Sequence, residues 1–458
     1  MSMAISSERD KDKDKEKATP PAAEGVVPKK KVALPQLVRG MHDIMPTDWP
    51  WWKFLQDEVQ DLALAYGFQR LETPILEKTN LFSRAIGATT DIVEKEMFSF
   101  EDQSGDHLTM RPEYTAGMAR AYLEHGMISW LQPVKLYSLG PLFRHERPQA
   151  GRFRQFWQFD FEILGEASAA VDSQLILLAS ALFESLHLPV TVHINSVGCP
   201  NCRPAYRTAL QDYYRTKRSV LCEDCKRRLT KNPLRLLDCK EEACQALARQ
   251  APQLVDFLCE PCRLHFVRVL EYLDEVQLTY QLDPYLVRGL DYYTRTVFEI
   301  WGTEEGKSAL AAGGRYDNLL SELGGQPTPA VGFAGGLERI VNELKTRQVG
   351  IPMPAPPDVF LSCLGDPARK KALRLFEDLR RQGVRVAESF TKEGLKAQLE
   401  VANRLKVKFA LVLGQKELTD GTIIVRDMEN GIQEIVDLNK VVEEVQKRLA
   451  THQPDTLA

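Results

Sequence analysis

Between Leu136 and Leu164 the chain reads LYSLGPLFRHERPQAGRFRQFWQFDFEIL, and this stretch concentrates residue types that could handle a phosphate beside a small polar molecule. Arg144 and Glu146 share a parity ahead of a hinge carrying Arg147, Arg152 and Arg154, and Gln158, Asp160 and Glu162 alternate along the segment that follows. Guanidinium groups grip phosphate and carboxylate oxygens through paired, charge-assisted hydrogen bonds. On the opposite parity stand Trp157, Phe159, Phe161 and Ile163, the period of a strand with one core face. An ordinary hairpin with a solvated face would alternate in the same way. A Gln-x-Asp-x-Glu row set this close to several arginines favours a binding platform over that bland alternative.

The elements that must position this platform can be read on either side of it. From Val38, a helix with apolar residues at Phe54, Leu55, Val59, Leu62 and Leu64 ends at Gly67, and RLETPILEKTNLF follows as a strand carrying Pro74. A hairpin turning at Ser104-Gly105 leads into MRPEYT and a helix. After the platform come a helix over about 171–186, the strand VTVHINSVG, and then a helical, cysteine-punctuated insertion. The sheet pattern resumes with PYLVRGLDYYTRTVFEIWG, ALAAGGRYDNLL and AVGFAGGLERIVNEL. The proline-rich GIPMPAPPD marks a boundary, beyond which strands and helices alternate as in a small α/β unit, with Asp420-Gly421 and Asn430-Gly431 as turn signals.

FRHERPQAGRFRQFWQ resembles the second signature motif of class II aminoacyl-tRNA synthetases, and RGLDYY followed by AGGRYD resembles the pair of motifs that sets the histidyl enzymes apart within that class. The resemblance runs from about Val38 to Leu449, with the helix and strand before Phe82 and the glycine-rich AVGFAGGLER in the places of the first and third class motifs. It implies an α+β catalytic domain on an antiparallel sheet, a mostly helical insertion and a C-terminal anticodon-binding α/β domain. The divisions are then a disordered tail over 1–33, a catalytic domain over 34–350 with the insertion at about 197–275, a linker over 351–357 and the last domain over 358–458. The resemblance further implies joining of L-histidine to tRNA(His) through a histidyl-adenylate, with ATP and Mg2+, by a homodimer. Arg144 and Arg288 would be the catalytic cations. Histidine would be held by Glu113, Tyr114, Thr115, Gln158, Glu162, Arg288, Tyr292, Tyr293 and Tyr316, with Glu162 and Tyr293 on the ring nitrogens. Arg144, Glu146 and Arg339 would hold ATP. Tyr114 stands where relatives usually have Gly, and Asp160 replaces a small residue, so neither position follows the family pattern.

Composition narrows the remaining classes. With 44% hydrophobic residues in 458 the chain can bury substantial cores, and no apolar run approaches a membrane span. The start lacks a basic-then-apolar signal, which points to the cytoplasm. Its first thirty or so residues contain almost no large apolar side chains and read as disordered. A formal charge of -4 carries no global sign of nucleic-acid binding, although residues 203–235 are locally basic. Of nine cysteines, Cys363 reads as core. The other eight, Cys199, Cys202, Cys222, Cys225, Cys239, Cys244, Cys259 and Cys262, include three C-x-x-C pairs, which suit structural zinc in one or two sites as well as they suit reduced thiols. Two rival functions follow. One is a non-catalytic histidine-binding regulatory paralogue of ATP phosphoribosyltransferase; the other is a zinc-ribbon RNA-binding protein.

Overall fold

The computed structural model describes residues 34–87, 90–147, 151–302 and 309–451. The tail expected to be disordered, residues 1–33, and the hinge residues 148–150 lie outside these.

Among the described residues, eleven strands lie in the first 350: β1 Gln69–Arg70, β2 Leu76–Lys78, β3 Phe98–Glu101, β4 His107–Met110, β5 Val134–Phe143, β6 Gln155–Leu164, β7 Val190–Ser196, β8 Tyr280–Leu282, β9 Thr294–Gly302, β10 Ala311–Arg315 and β11 Ala330–Gly336. Eight of them form one sheet in the order β1-β5-β6-β11-β10-β9-β7-β8. Every pairing from β5 to β7 is antiparallel, whereas β1 and β8 join the two edges in parallel. The sheet is therefore mixed, with an antiparallel centre. A smaller sheet orders β2-β4-β3.

The single strand expected across RLETPILEKTNLF is broken. It survives as β1 and β2 on either side of Pro74, and Thr79–Ile86 is already helix. Proline has no N–H to give a ladder, so pairing stops there.

One face of the large sheet carries the main core. Phe159, Phe161 and Ile163 of β6 are fully buried against the helices Trp49–Ala65, Ala169–Ser185 and Leu337–Thr346. Phe161 stacks on Phe333 of β11 with centroids 5.2 Å apart, which locks the two strands in register. The other parity of β6 points to the opposite face, where Asp160 and Glu162 are also buried. That second face is the floor of a cavity.

The insertion leaves at the end of β7 and returns at β8 through the helices Arg203–Arg215, Glu223–Lys231, Glu242–Ala248 and Glu260–Glu275. The last unit has a sheet of five strands, β12 Val359–Cys363, β13 Val386–Glu388, β14 Phe409–Leu413, β15 Thr422–Asp427 and β16 Gln433–Asp437, in the order β13-β12-β14-β15-β16. Its central strands β12 and β14 are buried throughout, as near-continuous apolar runs covered on both faces must be. Gly421 ends a short helix at positive φ, and Gly431 turns the β15–β16 hairpin.

Candidate active site

The cavity over β6, β9, β10 and β11 encloses about 750 Å³. Its wall includes Glu113, Thr115, Arg144, Glu146, Gln158, Arg288, Tyr292, Tyr293, Tyr316 and Arg339, so residues from 113 to 339 in the chain meet at one place. Two of the expected site residues are not part of that wall. The Tyr114 hydroxyl is turned to Arg111, at 2.7 Å, and to Glu72, and the ring is fully buried beneath the Arg111 guanidinium. Glu162 lies one layer deeper, accepting hydrogen bonds from Thr115 Oγ1 at 2.6 Å and from the Tyr316 hydroxyl.

Glu113, Asp160 and Glu162 form a group of buried carboxyls whose proton affinities are all raised; beyond burial, Glu162 and Glu113 add to the rise at Asp160, and Glu113 to that at Glu162. Burial is the main cause in each case. Glu162 is pushed up to about 8, and Asp160 well above the usual carboxylate range. Glu113 Oε1 accepts from the Ala116 N–H at 2.9 Å, while its Oε2 and Asp160 Oδ2 have no hydrogen-bond partner among the described residues. Buried polar atoms left in this state are costly, and a cation placed between them removes the cost. Glycine makes the arrangement possible: a Cβ on Gly332 would collide with the Glu162 carboxylate across the β6–β11 pair.

A second group is cationic. Burial is the largest influence lowering the proton affinity of Arg339, and Arg152, Arg144, Glu146 and Glu299 lie close enough to perturb it as well. Arg152 pairs with Glu146 at 2.9 Å. Arg144 donates from Nε to the Pro112 carbonyl at 2.8 Å and lies over the Phe156 ring, which leaves its outer nitrogens toward the cavity. Its charge also reaches Glu113 and Asp160, so Arg144 sits at the junction of the two groups.

Arg288 pairs with Glu299 and lies over the Tyr293 ring, and its Nε has no partner among the described residues. Tyr292 is packed between Tyr293 and Tyr316, with centroids 4.7 and 5.5 Å away. Burial raises all three phenols above the ordinary tyrosine range, so they stay neutral hydrogen-bonding groups.

Sequence reasoning missed five contributors. Glu299, which holds Arg288, shares its side of β9 with Val297, opposite the core residues Phe298 and Ile300, and that parity was a usable signal. Glu338 accepts the Trp157 N–H at 2.9 Å and steadies the start of β6. Asp238, Lys240 and Gln245 of the insertion reach the cavity wall, which nothing local in the sequence announces. Arg315 of AGGRYD is a different case. It is fully buried and binds Asp172, which also accepts from Thr296 and meets His265 at 2.5 Å. Burial pushes the Asp172 carboxyl up, but Arg315 and His265 outweigh it and hold it below the usual range. Arg315 is thus a structural tie joining β10, the Ala169–Ser185 helix and the last helix of the insertion.

An antiparallel sheet floored by a carboxyl group and walled by the arginines of the β5–β6 hinge and of the helix after β11 defines a class II aminoacyl-tRNA synthetase. Comparison with known proteins narrows the class. A sequence model of the histidyl-tRNA synthetase family matches residues 40–340, and one of the anticodon-binding domain matches residues 358–448. The histidine–tRNA ligase of Dehalococcoides mccartyi is 47% identical over 90% of this chain and 100% of its own length. That of Desulforamulus reducens is 44% identical over 88% of this chain and 97% of its own. Among solved structures, apo histidyl-tRNA synthetase from S. aureus aligns with TM-score 0.75 and 32% identity, covering 90% of this chain and 100% of that one. The chain belongs to the histidyl-tRNA synthetase family.

Proposed function

We propose that the cavity joins L-histidine to ATP as histidyl-adenylate, releasing pyrophosphate, and then passes the histidyl group to the terminal ribose of tRNA(His). The observation that carries this reading is the pairing of a pocket lined by buried carboxyl groups with an adjoining one lined by arginines, bridged by Arg144. Glu113 and Asp160, with their unpartnered oxygens, receive the α-ammonium, and Gln158 and Thr115 complete that end. Tyr293 and Glu162 take the two ring nitrogens, Glu162 by exchanging one of its hydroxyl partners for the imidazole. A buried site that pairs both nitrogens rejects side chains that leave a partner unmatched.

The reaction then needs position and positive charge, without a covalent nucleophile. A carboxylate oxygen of histidine attacks the α-phosphorus, and Arg144 and Arg288 meet the charge that gathers on the phosphoryl oxygens. Arg288 is pre-aimed by Glu299 and by the Tyr293 ring. Arg339 and Arg152 hold the departing phosphates. Magnesium, brought in with ATP, fits the hard oxygen donor of Glu146 on this side and would share the triphosphate charge. Zinc is the ion whose chemistry suits the insertion's thiols.

The C-terminal unit reads the tRNA away from the chemistry, and the enzyme works in the cytoplasm; no helix among the described residues is long and apolar enough to cross a membrane. Leu76 and Phe100 of the small sheet, and Ile128, Trp130 and Leu131, are exposed apolar side chains of the kind that burial against a second copy in a homodimer would cover. A structure from Bacillus halodurans titled as ATP phosphoribosyltransferase regulatory subunit/histidyl-tRNA synthetase shares the fold at 23% identity, a likeness of fold alone. Histidine-dependent exchange of pyrophosphate into ATP separates the readings. The synthetase reading requires it, and a regulatory subunit or an RNA-binding protein gives none.

A further inference from the structure

Eight cysteines of the insertion, all free thiols, gather into two separate groups of four: Cys199, Cys202, Cys259 and Cys262, and Cys222, Cys225, Cys239 and Cys244. Within each group the sulfurs lie within 4.8 Å of one another. The short separations are 3.7 Å for Cys199–Cys202 and 3.8 Å for both Cys199–Cys259 and Cys222–Cys239. A tetrahedral ion with Zn–S bonds of about 2.3 Å places its sulfurs about 3.8 Å apart. A disulfide would need about 2.05 Å. Backbone N–H groups point at these sulfurs as well, from Cys259 to Cys202 at 3.1 Å, from Cys222 to Cys244 at 3.3 Å and from Cys225 to Cys222 at 3.4 Å. Such donors stabilise thiolate charge.

The two groups occupy different places. The first lies where the chain enters and leaves the insertion, with Cys202 preceding the helix Arg203–Arg215 and Cys259 preceding the helix Glu260–Glu275. Beside it, Arg203 donates to the Tyr293 carbonyl of RGLDYY. The second group lies within the insertion. Its ligands Cys239 and Cys244 are the sequence neighbours of Asp238, Lys240 and Gln245, the insertion residues that line the cavity. That segment is short and mostly exposed: within 238–245 only Cys239 and Cys244 are buried, and with Cys225 they form part of the insertion's core. Ion pairs hold the neighbouring chain against the catalytic body, Arg228 to Asp91 at 2.8 Å and Lys231 to Glu94 at 3.3 Å.

We propose that the insertion carries two four-thiolate zinc ions with different tasks, one clasping its root and the other fixing the 238–245 segment so that Lys240 forms part of the catalytic cavity wall. The second task rests on the synthetase reading; the metal sites do not. Lys240 places a cation on the wall of the site proposed to bind polyphosphate. The ion beside it acts as a positioning element and takes no part in the chemistry.

Metal content of the full-length protein, purified without chelator, tests the first half. Two zinc ions per chain are expected, falling to one in Cys199→Ser/Cys262→Ser and to one in Cys222→Ser/Cys239→Ser. No zinc in the parent, one ion only, or loss of both ions from either variant overturns the two-site assignment. Should a variant fail to fold, cobalt exchanged into the parent serves instead. Thiolate-to-cobalt absorption growing to two equivalents supports the proposal, and its absence or saturation at one overturns it. The second half is read in pyrophosphate exchange. Lys240→Ala and Cys239→Ser should each raise the KM for ATP by roughly tenfold, with the double variant little worse than the larger single one. Unchanged KM in zinc-depleted Cys239→Ser overturns the positioning task. A parent with two zinc ions but no histidine-dependent exchange overturns the synthetase reading and leaves the metal sites standing.

Discussion

Arg288 and Glu162 illustrate how a buried ionisable group can be held ready for a partner it has not yet met. Arg288 is anchored by Glu299 yet keeps its Nε unpartnered, so its charge is available as the transition state forms. Arg288→His should leave folding and tRNA binding nearly intact while lowering adenylate formation by about 100-fold or more, mainly in kcat. Near-normal pyrophosphate exchange would remove Arg288 from the reaction. Glu162 makes a prediction about stability. Burial keeps its proton in the folded, ligand-free protein up to about pH 8, whereas an unfolded glutamate releases it near about pH 4.3. The folded state binds the extra proton between those values, so this group's contribution falls as pH rises through the window and is at its worst above about 8. Glu162→Gln removes that slope. Its melting temperature should therefore gain on the parent from pH 5 to pH 8, and a constant difference across that range would contradict a buried, protonated Glu162.

At the scale of elements, β6 and β11 make the floor of the site, and Gly332 is the position where they come closest to the chemistry. Gly332→Ala would drive a methyl group into the Glu162 carboxylate, so a loss of about 1–3 kcal/mol in stability and a weakened histidine KM are expected together. Urea unfolding and exchange kinetics would measure both, and an unaffected KM would separate this glycine from the pocket. The alternation of β6 was readable in the sequence because a strand's period of two needs no knowledge of its neighbours: Phe159 and Phe161 went inward and Asp160 turned to the cavity. Pro74 was legible as unusual, yet its strand was drawn too long, since the missing N–H matters only once a partner strand is known. Tyr114 was placed with the histidine-binding set by its neighbours in MRPEYT, but its hydroxyl turns to Arg111 and Glu72, contacts made across the fold. The cysteine spacing announced thiol pairs, whereas which pairs combine depended on how four helices fold back, information absent from any local window.

Across the whole molecule, the proposed reading divides catalysis and tRNA recognition between the large sheet and the five-stranded one, which lies in the region matched by the anticodon-binding domain. A chain ending near Gly350 should still exchange pyrophosphate but charge tRNA poorly, because only the distant RNA contacts are lost. Undiminished charging would remove the anticodon role from the C-terminal unit. The segment between the two units has a further consequence. Asp358, its end point, is fixed by Nε and Nη2 of Arg385 at 2.9 and 2.7 Å and offers its carbonyl to the Lys408 N–H, so any swivelling is confined to residues 350–357. Four of those eight residues are proline, and a chain of that kind is stiff and extended at about 3.1 Å per residue. It is a leash of about 25 Å. On the proposed reading, such a leash would set how far the C-terminal unit can travel from the catalytic floor, and so which tRNA lengths could touch both at once. Replacing the prolines by glycine and serine would keep the contour and lose the stiffness, and charging of tRNA should then slow while adenylate formation does not.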